Sequence, residues 1–265
     1  MTIDLKECFE NTKQWMNEFY LQMNDAKTQI IVFGPSRVLN KISIGGVNFE
    51  CGVSIRFIST VKNLGIYMDS ALSMSSQVVE LKKKCFRTLR NIRKIRYLLD
   101  KDQLKMVVNS LVVSCLDYCN SLFYGVTGQL FCQLQQLQNA CAKAVTGKFK
   151  HDHVGTDLTD LHWLPIKKRV IFKIGLLAYK AINGQSPEYL RELFQYSHHG
   201  HSLKLLVPSY SLERYGRRAF SYTGPRLMNS LPEHIRTAPC LDAFKSLLKT
   251  YLFGLSDDEF KRLMF

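Results

Sequence analysis

The apolar residues of this chain change their spacing at Ser75. Beyond it Val78, Leu81, Cys85, Leu89, Ile92, Ile95 and Leu99 recur at three- and four-residue intervals. At roughly 100° per residue they gather on one side of a helix. Lys83, Arg87, Arg90 and Lys94 fall on the other side, in one narrow stripe. The spacing predicts a helix capped at Ser75-Ser76 and running to about Leu99. Its apolar side needs neighbouring helices, and its cationic side needs water or an anion.

The same reading carries downstream. Asp100 is placed to cap a second helix from about Lys101 to Phe123, broken at Gly125 to Gly128. A third covers about Gln129 to Val145 and stops at Gly147, and a polar loop with a short turn spans His151 to Leu161. Pro165 suits the first turn of a fourth helix, to Ala181, ended by Asn183-Gly184. Pro187 starts a short helix through Phe194, Ser197 to Pro239 reads as loop-rich, and Asp242 to Phe253 reads as the last helix.

Upstream the pattern is mixed. Ile3 to Tyr20 reads as an amphipathic helix, with Leu5, Cys8, Phe9, Trp15, Met16 and Phe19 on its apolar side. Thr28 to Phe33 is a strand-like run stopped by Gly34-Pro35, and Val61 to Met68 is another. Ile42 to Phe49 carries Gly45-Gly46 between two short arms, a hairpin signal. Paired strands rather than a βαβ alternation are predicted for residues 1–70. The fold class is α+β, mostly helical. The expected regions are 1–72, 73–150 and 151–265.

Charge narrows the function classes. The chain of 265 residues has a formal net charge of +14. Residues 81–105 alone carry ten basic and two acidic side chains, a concentration that favours a polyanion such as nucleic acid. A solvated helix face is the alternative. The eight cysteines form no Cys-x-x-Cys pair, which fits a reducing, intracellular compartment, cytoplasmic or nuclear. The N-terminal residues show no apolar signal core, and the apolar runs are too short to span a bilayer. No membrane partner is expected, and the sequence fixes no oligomeric state.

Several phrases, in this order, resemble reverse transcriptases of jockey-like and related non-LTR retrotransposons. Trp15-Met16-Asn17 and Leu21 to Thr28 resemble the segment after the active-site hairpin. Val61 to Asp69, Val-Lys-Asn-Leu-Gly-Ile-Tyr-Met-Asp, resembles the primer-grip hairpin. Leu116-Asp117-Tyr118-Cys119-Asn120-Ser121-Leu122 and Leu137-Gln138-Asn139-Ala140 resemble the helical thumb. Leu161-His162-Trp163-Leu164-Pro165-Ile166 with Arg169, Tyr215 to Phe220, and Asn229-Ser230-Leu231-Pro232 resemble the C-terminal extension. The likeness reaches to about Phe253. It implies a palm remnant over 1–72, a thumb over 73–150 and the extension over 151–265. Cys115, Lys143 and Met228 depart from the Arg, Arg and Trp usual in that pattern.

The family's polymerase holds two divalent metal ions with palm aspartates, including an adjacent pair. The only adjacent acidic run here is Asp257-Asp258-Glu259, near the C-terminus, and the resemblance implies a catalytic hairpin upstream of Met1. No catalytic residue, metal ligand or cofactor is therefore expected, and no polymerase activity. The resemblance implies weak, sequence-tolerant RNA or DNA binding through Lys83, Arg87, Arg90 and Lys94. It makes Leu64, Gly65 and Asp69 primer-grip-like and Asn24 and Lys27 a nucleotide-site remnant, with turn and strand-start roles as the alternative. His151-x-His153 with Cys141, Asp152, Asp157, Asp160 and His162, and the His198-His199-x-His201 run, match no compact zinc spacing. For His162 and Trp163, base stacking stands beside a role as packing anchors. A protein-interaction scaffold is the competing function.

Overall fold

The computed structural model describes residues 2–41, 45–49, 52–149, 151–154, 156–196 and 204–264. The His198–His201 run and Cys51 lie outside them. The chain forms two compact units, residues 1–77 and 78–265, and it is mostly helical with small sheets.

In the first unit, α1 (Thr2–Glu18) precedes a 3-10 turn at Asp25–Lys27, strand β1 (Ile30–Ile31) and the short helix α2 (Ser36–Leu39). Then come β2 (Gly46–Asn48), β3 (Ser54–Ile58), β4 (Thr60–Asn63) and β5 (Ile66–Asp69). Of the six residues expected on the apolar side of α1, only Phe9 is buried; Trp15 and Phe19 are more than half exposed. Phe9 stacks on Phe49 at 4.0 Å and joins Val47 and Ile55 in a small core.

One expectation fails in this unit. β1 pairs with β3 in parallel, Ile30 opposite Phe57, across an intervening helix and strand, so not every pairing is a local hairpin. The first arm of the expected Gly45-Gly46 hairpin, residues 42–44, lies outside the described residues; Gly46 itself opens β2, whose antiparallel partner is β3. A Cβ on Gly46 would stand 2.5 Å from the Ile55 carbonyl oxygen, so this glycine permits close strand approach rather than a turn. Val61 to Met68 is two strands, with Asn63 opposite Ile66 and Leu64-Gly65 as the loop.

The second unit begins within α3 (Ser75–Ile95), which ends in a 3-10 turn at Arg96–Leu98. Because α3 stops there, Ile95 is 45% exposed rather than buried as expected. Asp100 caps α4 (Lys101–Val108) as predicted, and does so in a capping box with Gln103. The chain continues through a π-helical segment, Asn109–Val113, into α5 (Ser114–Asp117). The predicted unbroken helix to Phe123 ends here: Cys119 adopts the left-handed conformation, and a 3-10 turn follows at Asn120–Phe123. The break brings Asp117 and the buried Asn120 within hydrogen-bond reach of each other.

α6 (Gly128–Thr146) ends on Gly147 at φ 83°, the left-handed residue that frees a helix from its last turn. α7 (Asp157–Asp160) gives the expected polar loop a turn of helix, and α8 (Ile166–Ile182) and α9 (Glu188–Arg191) follow. The stretch expected to be loop-rich is largely helical where described, with α10 (Glu213–Gly216), α11 (Phe220–Ser230) and α12 (Glu233–Arg236). Pro225 sits inside α11. α13 (Leu241–Gly254) is not the last helix, since α14 (Asp257–Met264) follows, capped reciprocally by Ser256 and Glu259. The core centres on Leu134, Leu137, Ile171, Phe244, Leu248 and Leu252, all under 2% exposed. Helices on both sides of residue 150 share it: Ile166 N–H at the head of α8 donates to Gln135 Oε1 of α6 at 3.0 Å.

Candidate nucleic-acid interface

The predicted division of α3 holds over most of its length. Val78, Leu81, Cys85, Leu89 and Ile92 are buried, and Lys83, Arg87, Arg90 and Lys94 are exposed. Lys83 Nζ stands 3.9 Å from a Glu80 carboxylate oxygen. Among the described residues no carboxylate pairs with Arg87, Arg90 or Lys94. Like charges three and four residues apart destabilise a helix by about 0.2–0.5 kcal/mol per pair. Only the last, near the negative end of the helix dipole, gains something back. At 1.5 Å rise per residue the row is about 16 Å long, close to the run of roughly five phosphates of one strand at 3.4 Å each.

Two exposed cations on its flanks, Lys84 and Arg93, widen this face beyond the predicted stripe; the charge count over residues 81–105 was their sequence signal. Lys82 is different. Its Nζ donates to Gln133 of α6 at 3.0 Å, so it serves packing rather than the open face.

The remaining sequence candidates lie in the first unit. Leu64 and Gly65 form the tip of the β4–β5 hairpin with φ of 46° and 86°, and two consecutive positive values match the tight turn that suits strand twist. Leu64 is 83% exposed there. Asp69 accepts backbone hydrogen bonds from Ser73 (2.9 Å) and Met74 (2.8 Å), fixing the exit from the hairpin. The Asn24 side chain accepts from Lys27 N–H at 3.1 Å and caps the 3-10 turn. These contacts account for Asp69 and Asn24 structurally; Lys27 is exposed.

In the second unit the separate phrases of the sequence meet. Gln138, wholly buried, donates through Nε2 to the Leu164 carbonyl at 2.8 Å, and Arg169 Nε donates to the same oxygen at 2.9 Å. Arg169 Nη1 donates to Asp117 Oδ2 at 2.6 Å. Arg218 Nε donates to the Tyr124 carbonyl at 2.9 Å, and Asn229 exchanges two hydrogen bonds with the Leu205 backbone. Trp163 is 4% exposed, an anchor in the core, while His162 beside it is exposed. Of the three departures from the family pattern, Met228 is buried and the Cys115 thiol lies 3.5 Å from the Leu111 carbonyl oxygen it bonds.

The acidic residues near His151 are engaged locally. Asp157 pairs with Lys148 at 2.8 Å, and Asp152 accepts from Phe149 N–H. Among the described residues no three His, Cys, Asp or Glu side chains form a metal-binding group, and no helix is long and apolar enough to cross a membrane. In comparisons with known proteins, no family model, no curated protein and no solved structure matches the chain.

Proposed function

We propose that this chain derives from a non-LTR retrotransposon reverse transcriptase, as the end of the palm, the thumb and the C-terminal extension, and that it holds RNA or DNA by the phosphate backbone through α3. The observation that carries the reading is the exposed row Lys83, Arg87, Arg90 and Lys94, three of whose members have no carboxylate partner among the described residues. A cation row of this kind costs the free helix energy, and phosphates would offset it. The meeting of the Leu-Asp-Tyr, Leu-Gln-Asn-Ala and Leu-His-Trp-Leu-Pro phrases around Leu164 and Arg169 supports the resemblance, since residues joined in one packed node belong together as a set.

Contacts to phosphates position a strand without reading its bases, so the binding is weak and tolerant of sequence. The reading assigns no polymerase chemistry, because the sequence holds no acidic pair in a palm-like context. A reducing intracellular compartment fits the cysteines among the described residues, which are all free. The competing scaffold reading draws on the exposed Trp15 of α1 and Phe19 just after it, whose rings lie 5.0 Å apart.

The test is oligonucleotide affinity across a salt series, for the wild type and for a variant with Ala at positions 83, 87, 90 and 94. Four neutralised phosphates give log Kd a slope of about 3 against log salt. The variant is expected to lose most of that slope while melting no lower than the wild type. Equal slopes for the two proteins would make the row a solvated face and leave the scaffold reading.

A further inference from the structure

A cavity of about 290 Å³ opens in the second unit between α5, α8, α13 and the turn after α7. Asp117, Asn120, His162, Arg169, Lys173 and Lys249 line it together with apolar side chains. Three of these six are permanent cations. The single carboxylate, Asp117, is already bonded to Arg169 and to the Asn120 amide. Lys173 and Lys249, half-buried on neighbouring helices, have no carboxylate partner among the described residues. Two ammonium groups on half-buried residues around one cavity, whose one carboxylate is already engaged by Arg169, make a site for an anion.

The remaining wall is organic in character. Phe172 and Leu176 line it. Asn120 is 5% exposed, and its Oδ1 accepts no hydrogen bond. His162 holds φ at 56°. Its N–H donates to the Thr159 carbonyl and that of Trp163 to the Leu158 carbonyl, so His162 occupies the left-handed position that ends α7. Glycine is the residue that takes this position without strain. A side chain is strained there, and the histidine that holds this position lines the cavity. Strain at a pocket, an orphaned buried acceptor and unpaired cations occur together here, and such outliers mark functional positions.

We propose that this cavity takes one nucleotide of a single-stranded nucleic acid, its phosphate between Lys173 and Lys249 and its base against His162. The volume sits at the low end of the range for ligand pockets, roughly 300 Å³, enough for one nucleotide unit and too small for two. This deepens the nucleic-acid reading given above and rests on it for the choice of polymer. Trp163 takes no part, being buried in the core.

The experiment titrates the full chain with thymidine monophosphate, uridine monophosphate, inorganic phosphate and a Glu-rich peptide, following histidine ring resonances by NMR. Either mononucleotide is expected to shift the resonances that His162→Gly removes. Lys173→Gln with Lys249→Gln is expected to weaken mononucleotide binding about tenfold or more, the size of losing a charge-assisted hydrogen bond. His162→Gly is expected to bind more weakly and yet melt higher, because glycine relieves the strain; a merely structural histidine would not separate the two effects. Mononucleotide binding unchanged in these variants overturns the proposal, as does phosphate binding as tightly as the mononucleotides, or the peptide binding tighter than either. The α3 alanine variant distinguishes the two readings. If oligonucleotides bind through α3 while mononucleotides leave His162 unmoved, the pocket falls and the backbone reading stands. If mononucleotides bind the pocket while the salt slope does not depend on α3, the pocket stands and the α3 reading falls.

Discussion

The two units solve the same problem with very different means. Residues 78–265 bury a continuous set of large side chains, and the buried Gln138 has its polar atoms bonded to Gln135 and to the Leu164 carbonyl. Residues 1–77 rest on Phe9, Val47, Phe49 and Ile55 with a few partly buried neighbours, and on Ile66 and Met74 besides. A two-residue strand and a three-residue strand flank β3 in its sheet. The difference teaches that the helical unit carries its own stabilisation, while the strand-bearing unit holds little to spare. Small cores bury too little apolar surface to offset the entropy of ordering.

The largest expected effect separates the units by where damage spreads. Leu134→Ala or Phe244→Ala, both fully buried, should cost about 3–5 kcal/mol and lower the main unfolding transition. Phe9→Ala should instead speed hydrogen exchange in β1, β2 and β3 while exchange in α6, α8 and α13 stays slow. If exchange in α8 rises equally, the two units unfold together and the comparison breaks.

A smaller effect sharpens it through pH. Burial pushes the Cys85 and Cys141 thiols up from 9.0 to about 12, and both lie in the second unit. In the unfolded chain these thiols ionise first, near pH 9. Their contribution to stability is therefore fully present below pH 9 and is lost as pH rises from 9 toward 12. By pH 10 the loss should reach ~3 kcal/mol for the pair. The measurement is the denaturation midpoint from pH 8 to 10.5, for the wild type and for Cys85→Ala with Cys141→Ala. The variant should fall less steeply, and parallel curves would deny the thiols this role.

Much of the helical unit was legible because its signals are local. The Asp100 cap, the Gly147 stop and the opposed faces of α3 each depend on residues within a turn or two. Where reading failed, distant packing had decided. Gly224-Pro225 looks like a loop, yet α11 runs through it. Gly224 is what admits the Phe194 ring, which a Cβ would meet at 2.6 Å, and burial of Leu227 and Met228 holds the helix despite its proline. The Ser256-x-x-Glu259 capping box before α14 was a readable signal that the turn-like Gly254 obscured. The parallel β1–β3 pairing has no periodic signature at all. The basic row followed from helical spacing alone. The cavity did not, because Asp117, His162, Lys173 and Lys249 come from four segments and only tertiary packing unites them. The first two stood inside phrases that carried the resemblance, and the two lysines had no sequence signal.

The most direct test of the account is a chain beginning at Ser73, which lacks the first unit's strands and keeps α3 whole. Its unfolding and its oligonucleotide affinity across salt are to be compared with those of the full chain. The account predicts a more soluble protein that unfolds in one cooperative transition and keeps the same salt slope. A protein that aggregates, melts without cooperativity or loses the slope would contradict it. In that case residues 1–72 would be an integral part of a single fold, and the basic face of α3 would depend on them.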